Sequence, residues 1–371
     1  MVGNVAGYWP VSVLSAAFLF SLDPRYEQRY ISRMNMNERT LKGRREFLGT
    51  LATGALAFAA ASGQTATAAT GGKPLHGLFP IGQTPCTPDN RVDLDCLAAE
   101  VKFCNRGGVH GFAWPQIASG WSGLTQKERM DGAEAILSAG KGGRTALVIG
   151  VQTQSGDVNA AIEYATHAMK NGADAIISLP PDKADTEAIV SYYKTLGKAI
   201  DLPLFVQSIG DMSVDTVVRM YKEIPTMKVI KDEAGVPIAR VAEIRERTQG
   251  KLAVFSGQGV RTMITEMERG FSGHCPTTGL SDIYAQAFDL WHAGKKREGF
   301  DMFGRVLAFN SIPNADSYML IARGVFKEST ITRSMSAAGG GGTRGQTPLD
   351  EAGRKDIRDA LATYLKPYLK G

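Results

Sequence analysis

The chain has 371 residues, of which 43% are hydrophobic and 21% are charged, and its formal net charge is +5. This composition is typical of a globular protein and excludes a disordered, collagen-like or membrane-embedded chain. The small basic excess, without a basic stripe interleaved with aromatic residues, argues against nucleic-acid binding. The four cysteines form no C-x-x-C pair and the chain contains no H-E-x-x-H, so neither a metal site nor a cofactor is predicted.

The first 68 residues predict an export signal rather than a folded domain. Residues 43–48 read Gly-Arg-Arg-Glu-Phe-Leu, which resembles the twin-arginine motif. An uncharged stretch follows at once, and Ala66-Thr67-Ala68 then has the small-x-small pattern of a cleavage site. We therefore expect the twin-arginine export machinery to be a partner and the mature protein to be periplasmic or secreted, with cleavage near Ala68. Residues 1–35 precede the true start of the protein, at Met34 or Met36, or are a genuine extension or membrane anchor.

From His76 onward, short apolar runs alternate with amphipathic helical patterns, which indicates repeated βα units and a parallel sheet. The predicted strands are Gly77–Gly82, Val109–Trp114, Ala146–Val151, Ala175–Leu179, Pro203–Gln207, Lys228–Lys231, Ala253–Ser256 and Gly270–Gly273. Helices are predicted over Leu94–Cys104, Val158–Lys170, Thr186–Ile200, Val214–Ile224 and Ile238–Thr248, with Asp157 and Asp185 as N-caps.

Eight such units predict an α/β fold, a (β/α)8 TIM barrel with additional C-terminal helices. The rival, an open doubly wound sheet, usually carries G-x-G-x-x-G after its first strand, and here Gln-Thr-Pro-Cys follows instead. Later helical patterns span Ile283–Phe309, Asp316–Phe326 and Asp350–Leu369, and Gly339–Gly342 predicts a flexible loop. The predicted organisation is a signal region at 1–68, a barrel at 69–310 and a helical extension at 311–371.

Lys231 ends the sixth predicted strand, at the end of a barrel where chemistry is normally found. Strand alternation places Val229 and Lys231 on one face. If that face is the barrel interior, Lys231 lies in a desolvated mouth, and burial favours the free, nucleophilic amine. The alternative is a solvated surface lysine, which is where most lysines lie.

The surroundings of Lys231 indicate a family. Residues 229–235 read Val-Ile-Lys-Asp-Glu-Ala-Gly, which resembles the G-I-K-E/D-x-x-G segment of the dihydrodipicolinate synthase and N-acetylneuraminate lyase family, whose lysine carries the Schiff base. Other segments match in the same order and spacing, namely residues 108–111, 124–129, 171–175, 202–204 and 255–257. The resemblance implies a class I (Schiff-base) carbon–carbon lyase, aldolase or dehydratase that acts on a small 2-oxo acid or sugar-derived acid. It also implies a homo-oligomer, either a dimer or a tetramer.

Three departures separate this chain from the lysine-pathway synthase. The substrate-binding segment G-T-T-G-E corresponds to residues 116–120, which read Gln-Ile-Ala-Ser-Gly. The proton-shuttling tyrosine of the fifth strand corresponds to Gln207, whose amide cannot act as a general acid or base near neutral pH. The arginine that follows this strand in the synthases is absent. The predicted catalytic residue is Lys231, and the predicted substrate-binding residues are Trp114, Gln116, Ser119, Gln207, Ser208 and Gly257.

Several roles stay open from the sequence. Trp114 either stacks on a substrate or packs under its loop, and His110 fits packing better than catalysis. His274 is a candidate for the missing acid or base, and Asp232 and Glu233 are either loop charges or neighbours that tune the amine. Cys86 and Cys275 follow adjacent strands of a closed barrel and could form a disulfide in an oxidising compartment. A non-catalytic periplasmic binding barrel is the alternative function, with a sugar-acid dehydratase as a further one.

Overall fold

The computed structural model describes residues 72–313, 315–333 and 349–370, and ten strands and eleven α-helices lie in this part of the chain, besides short 3-10 and π turns. In chain order the strands are β1 (Gly77–Leu78), β2 (Thr84–Cys86), β3 (Gly111–Trp114), β4 (Ala146–Gly150), β5 (Ala175–Ser178), β6 (Leu204–Ser208), β7 (Met227–Asp232), β8 (Ala253–Ser256), β9 (Gly273–His274) and β10 (Ile331–Arg333). The predicted export signal and the loop Gly339–Gly342 lie outside the described residues.

Eight of these strands form a parallel barrel in the order β1-β9-β8-β7-β6-β5-β4-β3. A bridge between Ile81 and Ala113 closes it. In the same place Gly82 N donates to Ala113 O at 2.9 Å and Ala113 N donates to Pro80 O at 3.0 Å. The predicted (β/α)8 barrel is confirmed, and β2 and β10 form a separate antiparallel pair.

Helices follow the barrel strands and cover the outside of the barrel. They are α1 (Leu94–Gly107), α2 (Gln126–Ala139), α3 (Val158–Lys170), α4 (Thr186–Ala199), α5 (Val214–Glu223), α6 (Pro237–Arg247), α7 (Met263–Glu268), α8 (Ser281–His292), α9 (Lys296–Phe309), α10 (Ala315–Ala322) and α11 (Glu351–Ala360). The carboxylates of Asp157 and Asp185 accept backbone N–H groups at the starts of α3 and α4, as predicted. No helix in the described part of the chain is long and apolar enough to cross a membrane.

The first barrel strand is shorter than predicted, and the helix predicted over Asp350–Leu369 is α-helical only as far as Ala360. Two further predicted elements differ from the structure because of a glycine in the left-handed region. The eighth barrel strand is Gly273–His274 rather than Gly270–Gly273, because Gly270 (φ 87°) belongs to the turn that ends α7. The predicted helix Ile283–Phe309 is broken into α8 and α9 by a turn at Gly294 (φ 81°). The barrel and the C-terminal helices belong to one compact unit, Ala68–Gly371.

The core has an inner and an outer layer, and strand alternation assigns each residue to one of them. The inner layer fills the barrel with apolar side chains, among which the rings of Phe79, Phe205 and Phe255 lie 5.1 to 5.8 Å apart. The outer layer lies between the strands and the helices and includes Trp114 and Phe288. A side chain at a strand end therefore faces the mouth only if it shares the alternation of the inner layer.

A buried carboxyl in the outer layer makes the stability of the protein depend on pH. Glu100 of α1 is fully buried, and its Oε1 accepts a hydrogen bond from Gln83 N at 3.1 Å. Burial raises the pKa of Glu100 from 4.5 to about 8. The folded state thus keeps this group protonated while the unfolded state ionises it above pH 4.5. Its contribution to stability is complete below that pH and is lost as the pH rises through 8.

We expect Glu100→Gln to remove this loss, because glutamine keeps the acceptor and does not ionise. Between pH 5 and pH 8, the free energy of unfolding of the variant should gain about 4 kcal/mol relative to the wild type. Urea unfolding of both proteins at the two pH values measures the change. If the free energies of unfolding of the two proteins differed by the same amount at pH 5 and at pH 8, the raised pKa of Glu100 would be contradicted.

Candidate active site

Lys231 and Gln207 lie side by side in the mouth of the barrel. The register between β6 and β7 pairs Phe205 with Val229 and Gln207 with Lys231. Since Phe205 and Val229 belong to the inner layer, the alternation directs Gln207 and Lys231 inward as well. Both are buried, with exposed fractions of 0% and 4%. Lys231 thus lies in the barrel mouth, as predicted, and is not a solvated surface lysine.

Glu233 is the direct partner of Lys231. Its Oε1 lies 3.0 Å from Lys231 Nζ, and its Oε2 accepts a hydrogen bond from the amide of Gln207. The backbone brings it there because Glu233 N donates to Ser208 O at 3.0 Å, so the pairing with β6 extends one residue beyond the end of β7. Glu233 therefore keeps the inward alternation of Lys231, and the amine, the carboxylate and the amide form one connected group.

Gly257, which follows β8, leaves the room that Glu233 occupies. A Cβ atom on Gly257 would overlap the carboxylate of Glu233. The glycine of the Ser-Gly segment, predicted to contact substrate, thus has a steric role toward the carboxylate that holds Lys231. That role could not be found from the sequence alone, because it depends on a contact between two strand ends that are 24 residues apart.

Ser208 and Asp232 face away from the mouth, so the prediction that Ser208 binds substrate is corrected. The hydroxyl of Ser208 donates to Asp232 Oδ1, and Arg240 Nε of α6 lies 3.2 Å from Asp232 Oδ2. Both residues are fully buried in the outer layer. Burial raises the pKa of Asp232, whereas the Ser208 hydroxyl and Arg240 lower it. This group fixes the ends of β6 and β7 from behind the lysine.

The loop after β3 folds into the barrel mouth beside β4. A Cβ atom on Gly150 would overlap the carbonyl oxygen of Pro115, so the backbone of the loop lies directly over this glycine. The amide nitrogen of Gln116 donates to Gln152 Oε1 at 3.0 Å and to Pro115 O at 3.1 Å. Its Oε1 is buried without a partner. The amide of Gln116 therefore lies beside Gly150 at the mouth end of β4, where it is fully buried and both of its N–H groups are engaged within the protein. Its substrate-binding role stays a prediction.

Ser119 and Trp114 are engaged within the protein. Ser119 Oγ donates to Gly82 O at 2.5 Å and accepts from Gln116 N at 3.0 Å. The fully buried Trp114 belongs to the outer layer, where its Nε1 donates to Thr84 Oγ1 at 2.9 Å. A substrate in the mouth cannot stack on a ring that lies behind the strand. Of the two roles considered for Trp114, packing within the protein is therefore the one that the structure has.

His274 also lies in the outer layer, which corrects its candidacy as an acid or base in the mouth. It pairs with Leu78 in the sheet, and its Nδ1 lies 2.9 Å from Glu266 Oε2. Burial lowers the pKa of His274, which the Glu266 carboxylate opposes. His110 contacts Asp289 at 2.9 Å through Nε2 and packs against Phe288, in agreement with a structural role.

The cysteines are free thiols, so the suggested disulfide between Cys86 and Cys275 is not present. Cys86 lies in β2, whereas Cys275 belongs to the inner layer of the barrel. Burial raises the pKa of Cys275 to about 12, which leaves it protonated at neutral pH. Among the residues that the structure describes, no group of three or more His, Cys, Asp or Glu side chains could hold a metal ion.

The fold and this site define a (β/α)8-barrel protein with a buried lysine, paired with a carboxylate, at the end of the sixth barrel strand. Residues 74–312 match the model of the dihydrodipicolinate synthetase family. The chain therefore belongs to that family.

Similar proteins agree with this assignment. The 4-hydroxy-tetrahydrodipicolinate synthase of Rhizobium meliloti (strain 1021) is 29% identical over 208 residues, which cover 54% of this chain and 67% of that protein. The synthase of Methanosarcina acetivorans is 26% identical over 197 residues, covering 51% and 65%. The chain thus spans about two thirds of the length of these relatives.

Solved structures share the fold at low sequence identity. A putative dihydrodipicolinate synthetase from Pseudomonas aeruginosa superposes with a TM-score of 0.65 at 20% identity, covering 78% of this chain and 99% of the other. N-acetylneuraminate lyase from Mycoplasma synoviae superposes with a TM-score of 0.66 at 16% identity, covering 78% and 98%. At this identity the likeness concerns the fold.

Proposed function

We propose that the protein is a Schiff-base-forming lyase or aldolase that acts on a 2-oxo acid or a sugar-derived acid. The observation that carries the proposal is the buried amine of Lys231 in the barrel mouth, 3.0 Å from the carboxylate of Glu233. A primary amine attacks a ketone carbon, and the product loses water to give an imine. Membership in the family and the similarity to a lyase and to synthases support the same chemistry.

Glu233 is the proton-transfer group that we assign to this reaction. The ammonium proton of Lys231 passes to Glu233, and the free amine then attacks the substrate carbonyl. In the adduct, the attacking nitrogen gives a second proton to the former carbonyl oxygen, which becomes a hydroxyl. The same carboxyl group then returns the first proton to this hydroxyl, which leaves as water. Glu233 then accepts a proton from C3 of the imine and an enamine forms. A carboxylate within hydrogen-bond reach of the reacting nitrogen meets the geometric requirement for a general acid or base, and Gln207 orients it.

Glu233 also favours the sugar-acid dehydratase as a second candidate. In that reaction the C3 proton of the imine goes to a base, and the hydroxyl at C4 leaves as water after it receives a proton. One carboxyl group can perform both transfers in sequence, because the proton that it removes from C3 is the one that it gives to the leaving hydroxyl. Product analysis separates the two reactions, since a dehydratase conserves the carbon chain and an aldolase divides it.

The departures in the loop after β3 and at Gln207 support an activity other than that of the lysine-pathway synthase. Residues 116–120 lack the two threonines and the glutamate of the synthase segment, and Gln207 replaces its tyrosine. We further propose that the mature protein is exported by the twin-arginine machinery after cleavage near Ala68. A homo-oligomer, a dimer or a tetramer, is the assembly that family membership favours.

Reductive trapping tests the proposal. Purified protein is incubated with borohydride together with pyruvate, glyoxylate or a sugar-derived 2-oxo acid, and the adduct is located by peptide mass. We expect a stable adduct on Lys231, with the best-trapped acid indicating the substrate class. A folded protein that yields no adduct with any member of the panel would contradict the proposal and favour the non-catalytic binding barrel.

A further inference from the structure

A short segment beyond the family match reaches back to the catalytic end of the barrel. We define residues 327–333 as the C-terminal strap. Its strand β10 pairs antiparallel with β2, so that Ile331 lies opposite Cys86 and Arg333 opposite Thr84. At its start, Lys327 Nζ lies 2.7 Å from Asp93 Oδ2 at the N-cap of α1. The family match ends at residue 312, so the strap lies outside it.

Arg333 is the centre of the contact between the strap and the loop after β3. Its exposed fraction is 8%. The guanidinium binds both carboxylate oxygens of Glu128, at 2.8 and 3.0 Å. It also donates to Asn90 O at 2.6 Å and to Gly123 O at 3.2 Å. A bidentate pair of this kind fixes orientation as well as distance, so Arg333 holds the end of the loop against the start of α2.

The strand β2, with which the strap pairs, holds the same loop at a second point. Thr84, which pairs with Arg333, donates through Oγ1 to Ser119 O at 2.7 Å. Ser119 in turn binds Gln116 N through its hydroxyl at 3.0 Å. Residues 116–123 are thus fixed near both ends, and the buried amide of Gln116 lies beside Gly150, at the mouth end of β4. A displacement of the strap would move this amide relative to Lys231.

We infer that the C-terminal strap sets the position of residues 116–123 for substrate binding, and that Arg333 is a positioning residue. Arg333 belongs to the C-terminal strap, and among the residues that the structure describes its hydrogen-bond partners are Asn90, Gly123 and Glu128, not Lys231 or Glu233. Its loss should therefore weaken the binding of substrate and leave the chemistry of the amine intact. The inference rests on the proposed function for the identity of the bound molecule.

The test measures borohydride trapping of the full chain as a function of pyruvate concentration. For Arg333→Gln we expect a rise of roughly tenfold in the half-saturating concentration, with the limiting trapping rate unchanged, since a small misplacement of a binding group acts on affinity. Glu128→Gln should have the same effect, and the double variant should be no worse than either single variant, because both remove one interaction. Arg333→Lys should be intermediate, and Arg297→Gln, at an exposed position of α9, is the matched control.

Hydrogen exchange on the same proteins gives a readout that needs no substrate. Peptides covering residues 116–123 should lose protection in Arg333→Gln and Glu128→Gln, whereas peptides from β6 and β7 should not change. Unchanged protection of this loop, or a lower limiting rate at an unchanged half-saturating concentration, would overturn the inference. A wild type that traps no 2-oxo acid would contradict the proposed function instead, and loop exchange would still decide whether the strap positions the loop.

Discussion

Replacement of Lys231 by arginine is expected to abolish the covalent adduct with every 2-oxo acid that the wild type traps. Arginine keeps a positive charge opposite Glu233, so this half-buried carboxylate retains a partner and the barrel should remain folded. The guanidinium is always protonated and has no free electron pair with which to attack a carbonyl. We expect the rate of trapping to fall by at least about 10³-fold, as for the removal of a nucleophile that forms the covalent intermediate.

The matched control for this prediction is Lys228→Arg. Lys228 lies on the same strand three residues away and is exposed, outside the mouth. Its replacement should leave both the adduct and the rate of trapping unchanged. An adduct of undiminished yield in Lys231→Arg, or one that peptide mass places on another lysine, would show that the mouth of the barrel does not carry the amine chemistry.

Replacement of Glu233 by glutamine is expected to slow adduct formation by about 10²- to 10³-fold while Lys231 remains in place, the range typical of a lost general acid or base. Glutamine has nearly the same shape and can still accept a hydrogen bond from Lys231 Nζ. It can neither take the ammonium proton nor return one to the departing hydroxyl. The measurement is the rate of trapping at saturating 2-oxo acid, with unfolding followed in parallel.

Gly257→Ala provides an independent route to the same result. The new methyl group would displace the flexible carboxylate of Glu233 without changing its chemistry, so the rate should fall while the fold is retained. Glu246→Gln, at an exposed position of α6, is the control for the loss of one negative charge. Full trapping rates in both Glu233→Gln and Gly257→Ala would exclude Glu233 as the proton-transfer group.

The arrangement around Lys231 offers a reason why the tyrosine of the fifth strand can be missing. Gln207 stands at that position, and its amide binds Glu233. In our proposal, Glu233, two residues after Lys231, transfers the proton, and Gln207 on β6, the fifth strand of the barrel, orients it. Asp232, between the two, is directed to the outer layer and is fixed by Ser208 and Arg240. Adjacent acidic residues therefore have different positions because they alternate across one strand.

The sequence by itself determined the barrel, the position of Lys231 and most helix boundaries. Apolar runs alternating with helical patterns require a parallel sheet, and α3 begins and ends where its periodicity and its Asp157 cap predict. These features depend on interactions between residues close in the chain, which a pattern of residue types records directly. The family motif around Lys231 adds the chemistry of the amine to this local information.

Only the tertiary structure decided which polar residues share the mouth with Lys231. Ser208, Trp114 and His274 were all near strand ends in the sequence, yet the register of the barrel directs them outward. The inward position of Glu233 depends on one further hydrogen bond to Ser208 O. The contact of Arg333 with Glu128 joins residues 205 positions apart. Such contacts follow from register and chain closure, to which local residue patterns are insensitive.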